Sequence, residues 1–179
     1  MTATALVRQP SPRLASGLLT FLKRETLDVD LAMRQWRAYA EAFRTAGWDV
    51  VEVTPVDHCP DGVFIEDTMV VYRNFAVISR PRYPSRRPEI GTAEPAVASL
   101  GYSIHRIRAP GTLEGGDILK VGRTVYVGLG SRTNAEGAAQ LRSILEPLGA
   151  RVVTVPITKV LHLKSAITAL PDGTIIGYA

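Results

Sequence analysis

The segment from 111 to 117, with the sequence Gly-Thr-Leu-Glu-Gly-Gly-Asp, combines two carboxylates with three glycines. Gly115 and Gly116 carry no side chain, so backbone or a ligand can approach closely there. Ionised Glu114 is purely a hydrogen-bond acceptor and can take paired N–H donors from a planar cation. The segment therefore predicts a guanidinium-binding site; the alternative is a tight loop with a solvated glutamate.

Further candidate residues stand where the predicted hairpins begin. They are acidic residues and one histidine: Asp61, Glu66, Asp67, Glu114, Asp117 and His162. If these loops surround one axis, they converge on an acidic pocket that favours a bound cation, because closely spaced carboxylates repel each other. His162 would then supply a general acid or base. In the alternative interpretation, Asp67 and Asp117 cap turns, Glu66 is solvated and His162 is simply packed.

Arginines lie near these loops in the sequence. Arg86 and Arg87 stand in a polar segment, and Arg132 precedes a predicted helix. Because arginine can bind a carboxylate through two hydrogen bonds, an acidic pocket with an arginine clamp suits an amino acid with a cationic side chain, such as arginine. The alternative is that these arginines lie on the surface in water.

A metal site, a cofactor site and an activated thiol are not indicated. No carboxylate–histidine pair has a recognised ligand spacing such as His-Glu-x-x-His, so we expect neither a metal nor a cofactor. Cys59 is the single cysteine of the chain. Its neighbour His58 does not by adjacency activate the thiol, and we expect Cys59 to be packed or idle.

A repeated order of elements predicts how the candidate residues are positioned. Three times a helix ends in glycine and a strand follows, at Gly47, Gly101 and Gly149. A loop and a hairpin come next, with turns predicted at 73–74, 122–123 and 172–173. Units spaced by roughly fifty residues are typical of stacked or radial architectures that share a core. We therefore predict one α/β domain over residues 1–179, made of about three such units.

Local signals define individual elements. Asp28 or Asp30 can cap a helix, and Thr133 or Asn134 can cap a later one. The first hairpin is predicted over 63–78, with a polar loop over 80–88 and a short helix over about 92–100. The third hairpin ends at 176–179 with no helix after it. Because an open apolar strand is a liability, we expect further chain or a partner, including a second copy, to cover it.

Composition excludes several classes of protein. The 179 residues are 46% hydrophobic and 21% charged, as in an ordinary soluble domain. The net charge is +4, but the basic residues are scattered and do not predict nucleic-acid binding. No segment predicts a signal peptide or a membrane span. With one cysteine no internal disulfide can form, so a cytoplasmic location is the default.

Five blocks in order resemble the dimethylarginine dimethylaminohydrolase family, within the amidine-modifying superfamily of α/β propellers that also holds arginine deiminases and amidinotransferases. The blocks are 60–67 (PDGVFIED), 85–87 (SRR), 109–117 (APGTLEGGD), 131–137 (SRTNAEG) and 159–164 (KVLHLK). The resemblance implies a pentein-like propeller of ββαβ modules. It also implies a cysteine hydrolase that converts Nω-methylated arginine to citrulline and a methylamine.

The resemblance also implies roles for individual residues. His162 would be the general acid/base, and Glu114 the carboxylate that orients it. Glu66 and Asp67 would bind the guanidinium, and Asp61 would hold the substrate amino group. The remaining roles concern the substrate carboxylate and the cover of the pocket: Arg86 and Arg132 would clamp that carboxylate, Leu18 would lie in a flexible covering loop, and Phe64 would pack near the substrate.

The nucleophile is where this chain departs from the family pattern. The family's catalytic cysteine lies in a later module, and Cys59 does not match it. We therefore expect the 179 residues to be a truncated ring, inactive by itself. Two alternatives stay open. One is a non-catalytic arginine-binding or assembly protein, and the other is an arginine deiminase or amidinotransferase relative.

Overall fold

The computed structural model describes residues 3–177. The first long helix, α1 (Val29–Thr45), begins where Asp28 accepts a hydrogen bond from the Leu31 N–H at 2.8 Å. After α1 the chain reverses at Gly47, whose φ of 81° is left-handed and favours glycine. Gly101 and Gly149 adopt the same conformation after the second and third helices. The predicted glycine ends of the three helices are thus confirmed.

The strands of the described residues form four small sheets. Strands β1 (Thr4–Val7) and β2 (Asp49–Glu52) flank α1 and pair in parallel. The second sheet contains β3 (Met69–Tyr72), β4 (Phe75–Ile78) and β5 (Ser103–Arg106). The third contains β6 (Ile118–Val121), β7 (Thr124–Leu129) and β8 (Arg151–Pro156). The last is the antiparallel pair β9 (Ile167–Ala169) and β10 (Ile175–Gly177).

Strand pairing shows what the repeated unit is. In the second and third sheets an antiparallel hairpin is followed by a helix and then by a strand parallel to the hairpin's second arm. The helices are α2 (Ile90–Ser99) and α3 (Ala135–Leu145). A parallel neighbour needs such a crossover, so the unit is ββαβ. Residues 3–177 hold two complete units, one βαβ part and one hairpin, where about three units were predicted.

Two local predictions are wrong. The first arm of the 63–78 hairpin is a strand only from Met69, because a 3-10 helix occupies Ile65–Thr68. Thr68 is the last residue of this 3-10 helix, and its hydroxyl donates to the Ile65 carbonyl at 2.6 Å. This local hydrogen bond favours the helical turn over the backbone hydrogen bonds that would extend the strand. The predicted 80–88 loop contains a 3-10 helix, Pro84–Glu89, that leads directly into α2.

Apolar side chains fill the space between helices and sheets. The larger core packs Leu141 and Leu145 of α3 against Val125 and Val127 of β7. Ala93 and Val97 of α2 pack against β4 in a second core. No helix in residues 3–177 is long and apolar enough to cross a bilayer. The third hairpin forms as predicted, and among the described residues β10 pairs only with β9; residues 178 and 179 lie outside the described range.

Candidate active site

Three hairpins begin around one point. The 3-10 helix Ile65–Thr68 precedes β3, the 3-10 helix Gly115–Asp117 precedes β6, and His162 begins the short helix α4 (Leu163–Ala166) before β9. Together these segments bring buried Asp67, Glu114 and His162 close enough for one atom from each to lie within 4.8 Å of the others. The predicted convergence of equivalent loops is therefore present.

A cavity of about 400 Å³ opens onto this point. Its lining includes Gly116 of the second loop and eight of the predicted site residues: Leu18, Asp61, Phe64, Glu66, Asp67, Arg86, Arg132 and His162. Glu114 lies behind this lining and is completely buried. A larger cavity of about 880 Å³ lies between α1 and β3, but its lining is mostly apolar and does not include His162 or Arg132.

Gly115 and Gly116 permit the close approach that the sequence predicts. A β-carbon at Gly115 would overlap the carbonyl oxygen of Glu66, and one at Gly116 would lie 2.7 Å from the His162 ring. The backbone N–H of Gly116 also donates to Asp67 Oδ1 at 2.8 Å. The Glu66 backbone therefore lies directly against Gly115, and the His162 ring lies directly against Gly116.

Arg86 lies inside the acidic cluster. Its Nε and Nη2 donate to the two oxygens of Glu89 at 3.0 and 2.9 Å. Its Nη1 donates to Asp67 Oδ2 at 2.8 Å and to Glu114 Oε2 at 3.2 Å. Burial lowers the pKa of Arg86, but its contacts with Glu89 and Asp67 outweigh that effect and raise the pKa above its ordinary value. Three protein carboxylates thus bind Arg86, which also lines the cavity, and its predicted contact with a substrate carboxylate stays a prediction.

Arg132 holds Glu114 from the other side. Its Nη1 donates to Glu114 Oε2 at 2.8 Å, and its guanidinium lies over the Tyr83 ring, 4.9 Å from the centroid. Nε of Arg132 is buried without a hydrogen-bond partner among the described residues. Glu114 also accepts the Arg82 backbone N–H at 3.2 Å. Glu114 thus bridges two arginines in the interior, and Arg132 keeps unused donor capacity beside the cavity.

Asp117 makes the hydrogen bond that orients His162. Its Oδ1 lies 3.1 Å from Nδ1 of the ring, whereas Nε2 lies 3.8 Å from both Asp67 Oδ1 and Glu114 Oε2. The orienting contact predicted for Glu114 belongs to Asp117. Burial lowers the pKa of His162, but the hydrogen bond to Asp117 and the charges of Asp67, Asp117 and Glu114 outweigh it and raise that pKa above its ordinary value.

This raised pKa predicts a pH dependence of stability. Protonated His162 stabilises the folded state, and that contribution is complete below the ordinary pKa of 6.5 and is lost as the pH rises through the higher folded pKa. We therefore expect His162→Gln to cost most stability at acidic pH and progressively less above about pH 6.5. Urea unfolding of the wild type and the variant at a series of pH values measures this loss of stability.

His58 provides the control, since His58→Gln makes the same chemical change at an exposed position and should change stability by about 0.5 kcal/mol or less. A loss for His162→Gln that stayed constant or grew with pH would contradict the expectation.

The other predicted residues lie at the rim of the cavity. Both carboxylate oxygens of Asp61 accept the Leu18 N–H at 3.2 Å, which ties the segment around Leu18 to the site. Glu66 points outward, with 66% of its side chain exposed, and pairs with Lys164 Nζ at 2.5 Å. Phe64 is half exposed beside them. Glu89, Thr133 and Lys164 were not predicted as site residues from the sequence, although the three-residue spacing of Arg86 and Glu89 was a usable signal.

Cys59 is fully buried and does not line the cavity. Its Sγ lies 3.5 Å from the Ser85 carbonyl oxygen, and burial, with the nearby charge of Glu89, raises the pKa of the thiol. A thiol with a raised pKa is a poor nucleophile at neutral pH. Cys59 is thus packed, in keeping with the prediction.

Asp67, Glu114 and His162 also have the spacing of a metal site. However, Arg86 Nη1 bonds to both carboxylates at once. The protein's own guanidinium supplies the positive charge that a metal would bring, so the donor set does not fit a resident ion.

Buried charge characterises the site. Four carboxylates, Asp67, Glu89, Glu114 and Asp117, are joined by direct contacts to two guanidinium groups and one imidazole. Such an excess of negative charge in a low dielectric favours a further cation. The fold and this site define an α/β protein of the pentein superfamily with a carboxylate–histidine centre suited to a cationic ligand.

Comparison with known proteins identifies the family within that class. The arginine deiminase family model matches residues 18–177. An N(G),N(G)-dimethylarginine dimethylaminohydrolase of Streptomyces coelicolor is 61% identical over 174 residues, which is 97% of this chain and 67% of that protein. The Pseudomonas aeruginosa enzyme of the same name is 38% identical over 96% of this chain and 67% of its own length.

A solved structure agrees. A dimethylarginine dimethylaminohydrolase variant in an adduct with S-methyl-L-thiocitrulline superposes with a TM-score of 0.93 at 36% identity, covering 99% of this chain and 70% of its own. The chain belongs to the dimethylarginine dimethylaminohydrolase family. It spans about two thirds of the length of these relatives.

Proposed function

We propose that this chain supplies the guanidinium-binding and acid–base groups of a cysteine-type amidinohydrolase that acts on Nω-methylated arginine. The observation that carries the proposal is the buried excess of carboxylates around Asp67, directly beside Nε2 of His162 and facing the cavity. Each oxygen of Asp67 accepts one hydrogen bond from the part of the chain that the structure describes. Since a carboxylate oxygen has two lone pairs, Asp67 retains acceptor capacity for a ligand guanidinium.

The proposed chemistry follows from the electronic structure of the substrate. A guanidinium is resonance-stabilised, so carboxylates must hold it while a thiolate attacks its central carbon. The C–N bond to the methylated nitrogen then breaks, and His162 gives the departing amine a proton. Water attacks the resulting thiouronium carbon with His162 as base, which releases citrulline and regenerates the thiol. For substrate binding, we propose that Arg132 meets the substrate carboxylate and Asp61 its amino group.

The thiol itself has to come from elsewhere. Cys59 is the single cysteine of these 179 residues, and it is packed away from the cavity. We therefore propose that the 179-residue chain binds the ligand but does not turn it over. The same observation favours a second candidate function, that of an arginine-binding protein without catalysis. Self-association through the open edge of β10 stays a prediction.

Calorimetry with Nω,Nω-dimethyl-L-arginine tests the binding half. We expect Asp67→Asn to weaken binding at least about tenfold, because a charge-assisted hydrogen bond contributes about 1.5–3 kcal/mol. Asp57→Asn makes the same chemical change at an exposed position and should leave affinity unchanged. Equal affinity of the wild type and Asp67→Asn, with both folded, would refute this part.

Citrulline release tests the catalytic half. It should be undetectable with the 179-residue chain and measurable with a longer product of the same reading frame that carries a cysteine near its C-terminus. If that longer form binds dimethylarginine without releasing citrulline, the second candidate function is correct.

A further inference from the structure

We infer that Asp117 and Thr133 are positioning residues that fix the ring and the tautomer of His162, keeping the proton on Nδ1 and leaving Nε2 free to exchange protons at the cavity. The inference rests on the proposed acid–base function of His162. Its structural part concerns only which ring nitrogen carries the proton, and it can therefore be tested without turnover.

The first step is the hydrogen bonding of Asp117, which is completely buried. Its Oδ1 accepts the Leu163 backbone N–H at 3.2 Å and lies 3.1 Å from His162 Nδ1. Its Oδ2 accepts the Thr133 hydroxyl at 2.6 Å. A carboxylate that receives donors on both oxygens can only accept from the ring. The neutral imidazole must therefore carry its hydrogen on Nδ1, which leaves Nε2 with a lone pair.

The second step is what holds Asp117 in place. Thr133 Oγ1 donates to Asp117 and accepts the Glu114 backbone N–H at 3.2 Å. Thr133 directly precedes Asn134, whose side chain caps α3 by accepting the Gly137 N–H at 2.8 Å. The same Asn134 oxygen accepts the Thr112 N–H at 2.9 Å. The start of α3 therefore fixes Thr133, and Thr133 fixes the carboxylate that orients the histidine.

The third step is steric. The His162 ring fills the space where a side chain at Gly116 would stand. With the ring packed against this backbone and Nδ1 bound to Asp117, Nε2 is the nitrogen on the side of Asp67 and Glu114. A proton held on Nδ1 by Asp117 and a lone pair on Nε2 form the arrangement that a general base requires.

A matched pair of variants separates geometry from charge. In Asp117→Asn the amide oxygen should face the Leu163 N–H, so the acceptor for Nδ1 remains and only the charge is lost. In Asp117→Ala both the acceptor for Nδ1 and the negative charge are lost. At a pH above the raised pKa of His162, where the ring is neutral, nitrogen-15 NMR should show the Nδ1–H tautomer in the wild type and in Asp117→Asn, and the Nε2–H tautomer in Asp117→Ala. A wild type with its proton on Nε2 would overturn the inference.

Thr133 gives a second pair that keeps the test decisive if Asp117→Ala fails to fold. Thr133→Ser keeps the hydroxyl and should keep the wild-type tautomer and pH profile. Thr133→Val removes it and should produce a mixture of tautomers. Identical spectra for Thr133→Val and Thr133→Ser would refute the role of Thr133.

Steady-state kinetics of a longer form of the protein that carries the nucleophilic cysteine extend the test. Asp117→Ala should lower kcat on the order of 10²-fold, at the lower end of what general acid–base catalysis contributes, with KM changed less than about threefold. An unchanged kcat in folded Asp117→Ala would refute the positioning role. If the spectra show the expected tautomers but methylated arginine is not turned over, the proposed function fails and the inference about His162 stands.

Discussion

Arg86→Ala is expected to remove about 3–5 kcal/mol from the free energy of unfolding, because it leaves buried carboxylates without their counter-charge. Arg86 binds Asp67, Glu89 and Glu114 at once, and all three carboxylates are buried. Since a domain is typically stable by only about 5–15 kcal/mol, the variant should be close to unfolded at room temperature. Urea or guanidinium denaturation of the purified protein measures the loss.

Arg87 offers a matched control in the adjacent position. Arg87 is exposed, and among the described residues its guanidinium makes only long hydrogen bonds, to the carbonyls of Pro81 and Arg82 at 3.3 and 3.4 Å. We expect Arg87→Ala to change stability by about 0.5 kcal/mol or less. The loss of stability in Arg86→Lys should fall between those of Arg86→Ala and Arg87→Ala, because one ammonium group cannot reproduce the paired contacts to Glu89. Similar losses for the two alanine variants would show that the cluster does not depend on Arg86.

Gly115→Ala is the second change with a large expected effect. The added methyl group would overlap the backbone carbonyl of Glu66, which cannot rotate away as a side-chain end could. The two 3-10 segments that carry Asp67 and Asp117 would have to separate. Overpacking commonly costs about 1–3 kcal/mol of stability, and more where backbone must shift. We expect Gly115→Ala to lower the free energy of unfolding by an amount at or above the upper end of that range. Calorimetry should also show that the variant no longer binds dimethylarginine.

Gly91→Ala is the control for the same substitution. Gly91 lies in α2, and a β-carbon there would meet nothing within 4 Å. Because alanine is favoured over glycine in a helix by roughly 1 kcal/mol, Gly91→Ala should stabilise the protein slightly and leave binding unchanged. If Gly115→Ala behaves like Gly91→Ala, the close crossing at Gly115 is not needed for the site.

Local signals were enough to predict much of the fold. The cap at Asp28, the glycine ends of the helices and the three hairpin turns each depend on a few neighbouring residues, and the structure has them where expected. The grouping of hairpin, helix and strand into one sheet is different. It depends on which strands pair, and sequence order by itself does not determine that.

Side-chain direction was the part of the site that the sequence could not provide. Arg86 and Arg87 are the same residue type in adjacent positions, and only the 3-10 helix around them sends one inward to Glu89 and the other into solvent. The 3-10 turn that holds Glu66 and Asp67 likewise places Asp67 in the interior and Glu66 in solvent. Glu114 and Asp117 stand three residues apart, and the turn between them decides which one meets the histidine.

The contacts that close the site also have a kinetic consequence. Gly116 and Asp67 are 49 positions apart in the chain, His162 and Asp117 are 45 apart, and Lys164 and Glu66 are 98 apart. Contacts of such separation require long loops to close and tend to slow folding. Each unit can form its hairpin early from local pairing, whereas the acidic centre exists only after the two complete units and the last hairpin have docked. A ligand bound at that centre therefore stabilises the docked arrangement rather than any unit, and it should act mainly by slowing unfolding.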